Sequence, residues 1–96
     1  MSEISIKDQF MINPEIIFLN HGSYGATPRP VFAAYQTWQS RLEHQPVLFL
    51  GRDLPELLYK AREDLGQYLN SDTNDLVFIP NSTYGVNIAA HSLKLA

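Results

Sequence analysis

Three stretches of the chain repeat their apolar residues at helical spacing, and two short runs are apolar without a break. Val31, Tyr35, Trp38 and Leu42 fall on one helix face, with Gln36, Gln39, Arg41 and Glu43 largely on the other. Leu54, Leu57, Leu58, Ala61, Leu65, Tyr68 and Leu69 form a second stripe, and Val86, Ile88, Ala89, Ala90, Leu93 and Leu95 a third. The spacing predicts helices centred near 31–44, 54–69 and 83–94, the third running to the last residue. Pro30 suits the first turn of the first helix, where its missing N–H would have no acceptor, and that helix ends near Gln45-Pro46. Asp53, with Glu56 three residues on, reads as an Asp version of a capping box for the second. Asn81-Ser82-Thr83 offers an N-cap and a hydroxyl-rich first turn to the third.

The two unbroken runs, Ile16-Ile17-Phe18-Leu19 and Leu76-Val77-Phe78-Ile79, have strand composition and predict short strands at 17–19 and 76–79. The first delivers Asn20-His21-Gly22-Ser23-Tyr24-Gly25, a polar loop whose two glycines are able to supply positive φ. The second is apolar on both faces, as in a buried parallel sheet, yet no βαβ partner follows it. Paired with each other, two strands of four residues make a marginal sheet. The expected fold is therefore an α/β fragment, mainly helical, of three helices with one or two short strands. No repeat or flexible linker interrupts it, so 1–96 reads as one unit, with 1–15 an N-terminal arm, and the chain looks cut short.

Composition narrows the function. At 96 residues, 45% hydrophobic and 18% charged, the chain has material for one ordinary core. A net charge of −3 and the lack of a basic run argue against a nucleic-acid partner. The absence of cysteine removes disulfides, thiolate nucleophiles and Cys-type zinc sites. With no signal-peptide core and no window near the ~18 apolar residues of a membrane span, a cytoplasmic protein without a membrane partner is expected.

Two segments carry candidate chemistry. Ile79-Pro80-Asn81-Ser82-Thr83-Tyr84-Gly85 joins a strand-like run to a helix start, where backbone N–H groups and hydroxyls bind a phosphate dianion. On spacing alone the same residues read more simply as an ordinary helix cap, since Ser, Thr and Asn caps are what most helices have, and Asn81-Ser82-Thr83 is also an Asn-x-Thr sequon of the kind that occurs by accident in unexported chains. The Asn20 to Gly25 loop gathers an amide, an imidazole, a hydroxyl and a phenol, and reads either as a binding loop or as a self-satisfied turn. His21, His44 and His91 are scattered without i, i+4 pairing, so no metal site is expected; His44 reads as exposed and His91 as packed. Asp53, Glu56, Glu63 and Asp64 fit capping and a solvated face better than acid–base catalysis. No Gly-x-Ser-x-Gly elbow is present, and no catalytic residue is assigned.

Phe18 to Val31 with its Asn-His-Gly-Ser-Tyr-Gly core, then Gln45-Pro46-Val47 with Phe49-Leu50-Gly51-Arg52, then Leu76 to Thr83 with Gly85-Val86-Asn87, resemble the N-terminal part of class V pyridoxal-phosphate enzymes. The similarity is greatest to the isopenicillin N epimerase-like branch, relatives of the cysteine desulfurases, and runs from about Ile17 to the end with its motifs in order.

The resemblance implies the N-terminal segment of a fold-type I enzyme, an amino-acid epimerase or aminotransferase using pyridoxal 5'-phosphate. It places Ser82 and Thr83 on the cofactor phosphate, and His21 and Ser23 in substrate recognition near a subunit interface. It also exposes what is missing. The family's Schiff-base lysine, the acid that pairs with the pyridine nitrogen and the carboxylate-clamping arginine lie beyond this sequence, and Lys7, Lys60 and Lys94 match none of these motifs. The chain is accordingly expected not to catalyse alone and to bind little or no cofactor. A homo-oligomer, most simply a dimer, would cover Val77, Phe78 and Ile79. The alternative is a stand-alone helical interaction module that kept an enzyme's N-terminal architecture.

Overall fold

The computed structural model describes residues 5–95 and contains three long helices: α1 (Arg29–His44), α3 (Leu54–Leu69) and α4 (Ser82–Ser92), with a single turn, α2 (Pro46–Leu48), after the first. The expected helices thus form within a few residues of their predicted bounds. By internal contacts the chain divides into two compact units, Met1–Arg52 and Asp53–Ala96. The predicted arm begins in residues 1–4, which lie outside the described residues, as does Ala96 at the end of the predicted third helix.

In the first unit a short 3-10 turn, Ile6–Gln9, is capped by Ser5, whose Oγ accepts from the Lys7 N–H over 3.3 Å. The chain beyond it meets the start of α1 through one isolated antiparallel bridge, Phe10 to Pro28, and through Arg29 Nε donating to the Asp8 carbonyl over 3.1 Å. α1 stops at His44 because Pro46 disfavours a helical conformation at Gln45, which sits at φ −148, ψ 78. The chain re-enters a helical path at once, through α2 and a wider π-type turn, Phe49–Asp53. That return sets the Phe49 ring 6.2 Å from Trp38, with the Arg41 guanidinium over both rings at 5.2 and 5.7 Å. Phe49 is the buried hydrophobic residue among those described, 7% exposed.

In the second unit α3 ends in a Schellman arrangement. Asn70 adopts the left-handed conformation (φ 55, ψ 46), its N–H donates to Gln67, and the Ser71 N–H donates to the Gly66 carbonyl over 2.9 Å. Gly66 is buried under this turn: a Cβ there would lie 2.8 Å from the Ser71 carbonyl oxygen. A second turn, Thr73–Asp75, is capped by Asp72 Oδ1 accepting from the Asn74 N–H over 2.8 Å. Leu76 then runs back along α3, where Arg62 Nη1 donates to its carbonyl.

Four expectations are corrected. Neither 17–19 nor 76–79 forms a strand; among the described residues the only pairing is the Phe10 to Pro28 bridge, because a strand needs a ladder partner and neither run has one. Asp53 makes no side-chain cap bond: it is itself helical (φ −79, ψ −35), and a carboxylate in a continuing helical path does not face the N–H groups ahead. The two loop glycines do not use positive φ, which among the described residues belongs to Asn70. Finally, α4 stops at Ser92, and Leu93 is extended (φ −73, ψ 122) while still donating to Ala89. Its stripe buries nothing, so tertiary packing does not hold the last turn in helical form.

Candidate functional site

The start of α4 is built as a helix terminus should be. Asn81 is extended (φ −164, ψ 171), and its Oδ1 accepts the Tyr84 N–H over 2.9 Å. The Gly85 N–H closes on the Asn81 carbonyl. Of the amides that open a helix without intrahelical acceptors, those of Ser82 and Thr83 therefore remain, on an exposed turn beside their own hydroxyls. Two amides and two hydroxyls at the positive end of a helix fit one wall of a phosphate cup.

The Asn20 to Gly25 loop is closed by its own side chains. Asn20 Nδ2 donates to Ser23 Oγ over 3.0 Å, and the Ser23 N–H donates to Asn20 Oδ1 over 3.3 Å. His21 Nδ1 accepts the Ala26 N–H over 3.3 Å. The imidazole stands edge-on to Phe18, with ring centroids 4.6 Å apart, and 6.2 Å from Phe10. With Lys7 it forms the polar part of the wall of a largely apolar hollow of about 410 Å³, shared with Ile12, Ile16 and Ile17 among others. His21 and Ser23 thus belong to one loop of the first unit, and Ser82 and Thr83 to one turn of the second. Sequence reasoning missed Asn20 as the organiser of the loop; an Asn three residues before a Ser, in a Gly-bearing turn, was the available signal.

Two of the three lysines, Lys7 and Lys60, have local tasks. Lys7 Nζ donates to the Pro14 carbonyl over 3.1 Å. Lys60 bridges Glu63 at 3.1 Å and Asp64 at 3.0 Å on the open face of α3. Hydrogen bonds to Asp64 and then Glu63, with their charges, hold the Lys60 ammonium above its usual pKa. His44 is exposed as expected; His91, expected to be packed, is exposed too, because α4 packs weakly. Among the described residues no group of three or more His, Cys, Asp or Glu gathers as metal ligands, and no helix is long and apolar enough to cross a membrane.

Comparison with known proteins shows similarity to part of much longer enzymes. The chain is 41% identical over 88 residues to isopenicillin N epimerase of Amycolatopsis lactamdurans, covering 92% of this chain and 22% of that protein. It is 35% identical over 89 residues to the isopenicillin N epimerase of Streptomyces clavuligerus, covering 93% and 22%. Hercynylcysteine sulfoxide lyase of Schizosaccharomyces pombe is 21% identical over 82 residues, covering 85% and 21%. The resemblance carried by the motifs is therefore shown: the chain is a homologue of the N-terminal part of the isopenicillin N epimerases. It spans about a fifth of the length of the curated relatives it matches. No family model matches it, and no solved structure matches it.

Proposed function

We propose that this chain is the N-terminal segment of a pyridoxal-phosphate-dependent amino-acid epimerase or aminotransferase of the isopenicillin N epimerase kind, inactive by itself. The observation that carries this reading is the 41% identity to such an epimerase along 92% of the chain. The α4 start agrees with it, since the Ser82 and Thr83 amides and hydroxyls are the donors a phosphate monoester requires. When bound, the cofactor withdraws electrons from the α-carbon of an amino acid, the chemistry that epimerisation and transamination share. In this reading Ser82 and Thr83 anchor the phosphate, and the His21 and Ser23 loop faces the amino-acid substrate.

The experiment uses the full-length protein that contains this segment, beside the 96-residue chain. The full-length protein should retain the cofactor and exchange the α-proton of an amino acid for solvent deuterium. Changing both Ser82 and Thr83 to Ala should weaken cofactor affinity by roughly tenfold or more, given that hydrogen bonds to charged groups contribute about 1.5–3 kcal/mol each. Unchanged affinity in the double variant, or tight cofactor binding by the short chain alone, would overturn the reading.

A second reading, a helical module that pairs with another chain or a second copy, is favoured by one observation: Val77, Phe78 and Ile79 are 78%, 49% and 41% exposed. Sedimentation of the short chain separates the two. A stable dimer whose affinity falls with Val77→Asp supports the module, and a monomer at all concentrations removes it.

A further inference from the structure

We propose that Asn81 is a third side chain on the cofactor phosphate, a neutral cap whose Nδ2 donates to the anion that Ser82 and Thr83 hold. This rests on the reading that the start of α4 binds that phosphate. The argument begins with which end of the Asn81 amide faces the helix. The Tyr84 N–H is a donor, so the atom that meets it at 2.9 Å is the side-chain oxygen, and the amide is fixed in one orientation. Nδ2 is then its outer end. Among the described residues Nδ2 has no acceptor, and Asn81, Ser82 and Thr83 are all exposed. Its two N–H donors therefore stand open on the same short turn as the Ser82 and Thr83 hydroxyls.

The support beneath this donor is fixed twice. The Asn81 side chain is held by the Tyr84 N–H, and its backbone carbonyl accepts the Gly85 N–H over 3.2 Å. A donor held in place before its ligand arrives loses little freedom on binding. The choice of amide over acid points the same way. Asp caps a helix about as well as Asn does, and its charge gains further from the positive end of the helix dipole. For the helix alone, an acid at 81 is at least as good. Beside a phosphate dianion the order reverses, because a carboxylate repels the ligand, whereas an amide of the same shape and with the same cap acceptor adds a charge-assisted hydrogen bond. One residue thus serves the helix with its oxygen and the ligand with its nitrogen.

The test measures cofactor affinity in the full-length protein, with pyridoxal, which lacks the phosphate, as control. Asn81→Gly removes the donor and leaves a residue that suits the cap position, and Asn81→Asp keeps the cap acceptor and replaces the donor with a charge. Affinity for pyridoxal phosphate should fall about tenfold in Asn81→Gly and about thirtyfold or more in Asn81→Asp. Affinity for pyridoxal should stay within about twofold in both, and the melting temperature of the cofactor-free Asn81→Asp protein should match that of wild type. Pyridoxal phosphate affinity unchanged in either variant would show that Asn81 only caps the helix, and an equal loss with pyridoxal would place the effect away from the phosphate; each overturns the proposal. Failure of the enzyme reading shows differently, as a wild-type full-length protein without cofactor affinity.

Discussion

Arg62 donates from Nη1 to the carbonyl of Leu76 over 3.2 Å, fastening the chain that leaves the Thr73–Asp75 turn to the middle of α3. The same guanidinium lies 5.6 Å from the centre of the Tyr59 ring. Arg62→Met keeps much of the apolar stem and removes the donor. It should destabilise the second unit by about 1–2 kcal/mol, combining one part-buried hydrogen bond with a semi-exposed cation–π contact. Amide exchange at Leu76 and along α3 measures this, and unchanged protection would show that the bond contributes nothing.

Two glycines give the same substitution opposite outcomes. A methyl at Gly66 would meet the Ser71 carbonyl oxygen at 2.8 Å, a backbone atom held by the Schellman turn. The clash, costing about 1–3 kcal/mol, outweighs the ~1 kcal/mol gained in helix propensity, so Gly66→Ala should destabilise. At Gly85 the methyl would meet only the Cδ1 tip of Ile79, at 2.5 Å, on a side chain 41% exposed and free to turn aside. Gly85→Ala should raise the helicity of α4, as read by far-ultraviolet circular dichroism.

The Asn81 cap is testable separately from any ligand. Asn81→Ala leaves the Tyr84 N–H without its acceptor and should cost α4 about 1 kcal/mol, whereas Asn81→Asp keeps the acceptor and should retain the helix. Equal helicity in the two variants would mean that the cap is not formed in solution.

The Lys60 bridge has a defined pH signature. A lysine whose pKa is raised on folding contributes stability that is fully present below its unfolded value of about 10.5, and that is lost as pH rises through the higher folded value. The stability difference between wild type and Lys60→Met should therefore be constant from neutral pH to about 10 and shrink above it. The pair is exposed and Lys60 precedes its acids, the weaker order along a helix, so added salt should reduce the difference as well. A difference that grew at alkaline pH would contradict the bridge.

The helices were legible because an apolar stripe is local information: α3 occupies the residues its stripe outlined, and Asn81 caps α4 as its side chain suggested. The strands were not, because Val77 to Ile79 carries strand composition while the ladder that makes a strand requires a partner absent from these residues. Asp53 misled for a related reason. Its cap pattern is correct for a helix that begins there, but Pro46 starts a helical path three residues earlier than the π-type turn, and the carboxylate lies inside that path. The polar side chains His21 and Ser23 were visible as candidate chemistry, whereas the closure of their loop by Asn20 emerged only when both of its amide atoms were seen against Ser23.

Phe49, pressed against Trp38 under the Arg41 guanidinium, is the one large side chain among the described residues that water barely reaches. The heat-capacity increment of unfolding scales with the apolar surface newly wetted, and so does the steepness of a urea transition. A chain that hides so little should melt gradually, with a small increment and a shallow denaturant response. Any polypeptide that seats on its open apolar faces would convert that slope into a sharp step, which makes the calorimetric width itself a reporter of association.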